Sequence, residues 1–157
     1  MAYVATRQYD RVIEEARKVI ASNPNFASAH AWLGLAYAQK KQFPEAIAAL
    51  EKARSLEPSY TMDHFLAVVQ AAAGNKPEAR KLLAKIEQMA RRQYVCAYEV
   101  ACVHAALGDN EAAYKWMQKG VKEQCDCLAW MKGEPWLDPF RVDPRYLDLL
   151  KRVFNGR

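Results

Sequence analysis

The chain has 157 residues, 52% of them hydrophobic and 26% charged, which fits one globular domain and excludes a disordered chain. No apolar run reaches the roughly 18 residues of a bilayer span, and Met1 to Asp10 lacks the charged-then-apolar order of a secretion signal. The net charge of +5 is interleaved with acids, as in Arg11-Val12-Ile13-Glu14-Glu15-Ala16-Arg17-Lys18, so solvated helix faces are expected rather than a nucleic-acid footprint.

In chain order, Met1 to Thr6 reads as the end of a helix, because Tyr3 recurs as Tyr37. The first part of that helix is missing, so an excised piece or fragment of a longer protein is expected. A helix over about 8–22 follows and stops at Asn23-Pro24-Asn25. Helical spacing then predicts 27–40 and 44–56, 61–73 and 76–91, and 94–107 and 110–123. Gly74 and Gly108 stand where a helix end favours left-handed backbone. A short helix is expected over 127–132, broken by Gly133-Glu134-Pro135. Asp143 then caps a last helix with Pro144 in its first turn. Tyr146, Leu149, Leu150, Val153 and Phe154 share one face of it, suited to closing the end of the molecule.

The elements repeat. Tyr3, Tyr9, Val12, Ala16, Val19 and Pro24 recur 34 residues later as Tyr37, Phe43, Ala46, Leu50, Ala53 and Pro58. Gly74 and Ala79 recur as Gly108 and Ala113 at the same interval, while Pro44-Glu45-Ala46 recurs as Pro77-Glu78-Ala79 at 33. The best copy reads His30-x-x-Leu33-Gly34-x-x-Tyr37, Ala46-x-x-x-Leu50-x-x-Ala53 and Pro58. Gly34 and Ala46 are small where two helices of a pair meet, and Leu33, Tyr37, Leu50 and Ala53 fall on the spacing that faces the pair's interior. This resembles the tetratricopeptide repeat, with His30 in place of Trp and Leu50 in place of Phe. The resemblance implies an all-α solenoid of helical hairpins with a C-terminal capping helix. It divides a single domain, 1–157, into a partial repeat (1–26), repeats over 27–60, 60–93 and 94–124, and a capping tail (125–157).

The tail carries a second resemblance. Trp136-Leu137-Asp138-Pro139-Phe140-Arg141-Val142-Asp143-Pro144-Arg145-Tyr146 is similar to the C-terminal end of repeat regions attached to bacterial kinases, cyclases and winged-helix regulators. That implies a bacterial signalling module, without saying which effector it serves.

In the repeat family the first helix of each pair lines a concave groove. The corresponding positions include Leu35, Gln39, His64, Val68, Tyr98 and Cys102, mostly small or apolar, so an apolar peptide or helix of another protein is the expected occupant. Self-association is the alternative that would cover the same stripe. The Lys, Asn and Arg that would clamp a terminal carboxylate are missing. No Gly-rich phosphate loop, nucleophile elbow or spaced His pair is present, so no enzyme, cofactor or metal is expected. Cys96, Cys125 and Cys127 fall at one end of the last hairpin, but C-x-C is not a zinc spacing. The expectation is that Cys96 and Cys102 are buried, that Cys125 and Cys127 lie free in a loop, and that a thiol sensor is a weaker reading. Together these observations predict a cytoplasmic, non-catalytic scaffold, with no membrane or nucleic-acid partner; a regulatory or sensing module of a larger regulator is the alternative.

Overall fold

Burial sorts the helices into two kinds. Ala97–Leu107 buries nine of its eleven residues and Tyr60–Ala72 nine of thirteen, whereas Tyr9–Ser22, Phe43–Leu56 and Asn110–Lys122 each bury three. A helix apolar all round must be enclosed, and an amphipathic one can close over it. The computed structural model describes residues 8–154 and obeys this division. The helices are α1 (Tyr9–Ser22), α2 (Ala27–Gln39), α3 (Phe43–Leu56), α4 (Tyr60–Ala72), α5 (Lys76–Ala90), α6 (Ala97–Leu107), α7 (Asn110–Lys122) and α8 (Pro144–Phe154), with 3₁₀ turns at Asp126–Trp130 and Pro135–Leu137. No strand occurs among the described residues. The expected helix end at Met1 to Thr6 lies outside them.

The pairs α2–α3, α4–α5 and α6–α7 form hairpins, and α1 packs on α2. The inner helices α2, α4 and α6 pack in a row, and each outer helix also touches the next inner one. The fold is therefore an all-α helical-repeat solenoid. Gly34 is the tightest joint: a Cβ there would stand 2.7 Å from Leu50 Cγ and 2.9 Å from the Ala46 carbonyl oxygen. Ser59 Oγ and Asp109 Oδ1 accept from Met62 and Ala112 amides and cap α4 and α7. Gly108 (φ 84°) ends α6 in the left-handed region. The inner row also encloses a charge. Asp63, 2% exposed, accepts from Lys85 Nζ at 2.6 Å and lies 3.5 Å from Arg54.

Two elements differ from expectation by more than one residue at an end. The sixth helix begins at Ala97, not near Tyr94, because Cys96 is bonded to Cys125 and ends an extended approach. The helix expected over 127–132 is the 3₁₀ turn Asp126–Trp130, too short for a sustained α pattern.

The tail has two parts. The amphipathic α8 packs on α7, with Tyr146, Leu149 and Val153 buried. Before it, residues 125–140 run over α6 and bury Leu128, Met131, Leu137 and Phe140, while Trp136 packs partly into the same core. Arg141 holds this crossing in place. It donates to Asp138 Oδ1 (2.8 Å), the Tyr146 hydroxyl (2.7 Å) and the carbonyls of Met131, Lys132 and Glu134. Tyr146 donates in turn to the Met131 carbonyl. Asp143 Oδ1 accepts from the Arg145 amide at 3.0 Å, as an N-cap does. The residues Asp138, Arg141, Asp143, Arg145 and Tyr146, which gave the tail its resemblance, thus tie the segment to itself.

Candidate functional site

The inner surface is where the expected site residues fall, and the structure divides them. Leu35 is 5% exposed, and Val68 and Cys102 are wholly buried. They were expected to face an open groove, and they do not. They belong to helices enclosed on both sides, α6 lying beneath the protein's own tail. A charge placed at Val68 would be buried without a partner rather than presented to a ligand.

Two hollows share Pro135 as a lining residue. Gln39 lines a cleft of about 290 Å³ with Ala38, Phe43, Ala72, Ala106, Trp136 and Pro139. Its walls are mostly apolar, with Gln39, Asp138 and Lys41 as the polar members. Ala72 is exposed and Gln39 half-buried.

His64 and Tyr98 instead line a smaller cavity of about 150 Å³, with Phe65, Glu99, Trp130 and Glu134 among its walls. Neither nitrogen of His64 has a hydrogen-bond partner, nor has Glu99 Oε2. Burial drives the His64 pKa down to about 3 and keeps the ring neutral. Burial, and then the neighbouring Glu134, pushes Glu99 up to about 7. Burial likewise raises Glu134 to about 7, against the opposing pull of the Trp136 amide and Arg141. The Tyr98 hydroxyl sits beside the Cys102 thiol, and burial raises both groups.

The two glutamates were missed in the sequence. Glu99 left a trace there, as the only acid in the apolar run Ala97 to Leu107. Glu134, between Gly133 and Pro135, left none, because only the folded crossing brings it to α6.

The cysteines also gather. Cys96 and Cys125 form a disulfide, correcting the expectation that Cys125 lies free. Cys127 is free, half-buried and beside them, the three sulfurs lying within 4.8 Å of one another. They are the residues that could hold a metal ion, but only after reduction, since bonded sulfurs are not thiolate ligands. Burial and then Glu99 raise the Cys127 thiol, which leaves it protonated and weakly nucleophilic.

Comparison with known proteins settles the repeat. The profile described as "Tetratricopeptide repeat" matches residues 1–61 and 42–94, more than half of the chain. The chain belongs to the tetratricopeptide repeat family. No curated protein and no solved structure matches it. Tetratricopeptide repeats generally mediate protein–protein contact and are generally non-catalytic. In this tetratricopeptide chain, α2–α3, α4–α5 and α6–α7 are the hairpins, and the tail runs over α6. Among the described residues no helix is long and apolar enough to cross a membrane.

Proposed function

We propose that the chain is a non-catalytic scaffold, a single domain over 1–157, that receives an apolar segment of another protein in the Gln39 cleft. The observation that carries this is the cleft's wall of Ala38, Phe43, Ala72, Ala106 and Trp136, open to solvent in a fold whose relatives bind proteins. Small alanines leave room for a partner's side chains, and Trp136 and Phe43 supply the large surfaces on which binding energy concentrates. The basic residues interleave with acids, which favours protein over nucleic acid as partner. The tail's resemblance to bacterial regulators supports a second reading, in which the same cleft reports to an attached effector in the cytoplasm.

The test uses a library of displayed peptides selected on the whole chain. Ala72→Glu and Ala106→Glu should abolish capture of the selected peptides while leaving the melting temperature nearly unchanged, because Ala72 is exposed and Ala106 half-buried. Selected peptides that bind both folded variants normally would move the site off this surface.

A further inference from the structure

The cavity lined by His64, Glu99 and Glu134 is built unlike a packing defect. An empty hollow in a core is normally apolar, because a buried polar atom without a partner costs free energy. Here His64 is fully buried with both ring nitrogens unpartnered, and Glu99 Oε2 is unpartnered beside it. Glu134 reaches the same cavity, with Oε1 only 3.5 Å from the Trp136 amide. No lysine or arginine lines the space. Arg141 lies near Glu134 but gives its donors to Asp138, Tyr146 and three main-chain carbonyls. Phe65 and Trp130 add aromatic surface, Trp130 being 42% exposed.

We infer that this cavity binds a primary alkylammonium group. An ammonium carries three N–H donors and no acceptor. The neutral His64 ring, Glu99 and Glu134 offer acceptors on different walls, and the carboxylates supply the counter-charge. Aromatic faces favour a cation and cover its alkyl stem. A metal ion fits the donors less well. Among the described residues the group that converges tightly enough for an ion is the cysteine trio, not these three. A carboxylate or phosphate ligand would meet two acids and no cation. The site is separate from the Gln39 cleft, sharing Pro135 with it, and stands whether or not that cleft binds a partner.

Burial brings both Glu99 and Glu134 up to about 7. A bound cation favours their ionised forms, so binding near neutral pH releases protons.

The experiment is calorimetric titration of the full chain with n-butylamine, n-butanol and N-acetyl-lysine amide, in two buffers of different ionisation enthalpy. Butylamine should bind with proton release and a change in tryptophan fluorescence, and butanol should not. Glu99→Gln and Glu134→Gln should each weaken butylamine by roughly tenfold or more, as loss of a charged hydrogen-bond partner does. Binding of the lysine amide as well would identify a partner's lysine as the source, and binding of butylamine alone a free amine. Equal binding of butanol and butylamine, no binding of either, or unchanged butylamine affinity in both folded variants would overturn the assignment. Should a variant fail to fold, proton release by the wild-type chain decides the matter.

Discussion

A methyl group on Gly34 would stand 2.7 Å from Cγ of Leu50, and 2.9 Å from the backbone oxygen of Ala46. Two opposing effects meet there. Alanine is about 1 kcal/mol better than glycine inside a helix, while overpacking costs about 1–3 kcal/mol. The leucine can shift a little, but the carbonyl belongs to α3 and cannot. Gly34→Ala should therefore be net destabilising by chemical denaturation, and Gly34→Arg should cost several kcal/mol or prevent folding. A melting temperature unchanged in either variant would mean that α2 and α3 meet in a different register.

The Cys96–Cys125 bond closes a loop with a sequence separation of 29. The chain-entropy estimate for such a loop is about 3–4 kcal/mol. Reduction should lower the melting temperature measurably, and Cys96→Ala should match the reduced protein. Cys127→Ser should leave the oxidised protein's stability nearly unchanged. Equal melting curves with and without reductant would show that the bond contributes nothing.

Arg141 is the residue on which the tail turns. Arg141→Lys retains the charge but loses the planar fork that reaches Asp138, Tyr146 and three carbonyls together. The expected cost is about 1–2 kcal/mol, from the part-buried bonds to Tyr146 and the Glu134 carbonyl. Hydrogen exchange should quicken in residues 131–146 and leave α2 and α3 unaffected. Uniform exchange across the variant would argue for a global role instead.

The cavity groups give stability a pH dependence of known sign. Glu99 and Glu134 titrate near 7 when folded, above the ordinary 4.5. Their contribution is full below about pH 4.5 and is lost as pH rises towards 7. His64 is shifted the other way, from 6.5 to about 3. Its contribution is full above pH 6.5 and is lost as pH falls towards 3. Between 4.5 and 6.5 two descending effects oppose one ascending effect, so these groups make stability fall with rising pH. Changing both glutamates to glutamine should reverse that slope in urea titrations run across the window. A double variant with the wild-type slope would place the pH dependence elsewhere.

The fold was legible because it repeats. Tyr3 to Tyr37 and Phe43 back to Tyr9 report one spacing twice, and Gly34 opposite Ala46 gives its packing reason. The inner surface was less legible. Val68 and Cys102 sit at positions that other repeats would expose, and periodicity along one helix does not show what lies across it. Over α6 the covering comes from residues 125–140, whose 3₁₀ turns have no strong period and whose anchor, Arg141, reaches residues up to ten positions away through carbonyls that any sequence supplies. Glu134 is placed by the same crossing. The cysteines lay between these cases: Cys96 and Cys125 could be put at one end of a hairpin, but the distance that joins them is a product of the fold.

The crossing has a mechanical consequence. A solenoid's curvature is the sum of small rotations between neighbouring repeats, and a change at each joint lets the whole array open or tighten like a spring. Here the ribbon from Pro135 to Pro139 shares a single cleft with the ends of α2, α4 and α6, while its main packing is on α6. Arg141 ties that ribbon to the rest of the tail, so the ribbon should stiffen the last repeat rather than the whole array. The last joint should therefore be the stiffest of the array, and a segment docking beside it would meet a surface with less conformational freedom to give up.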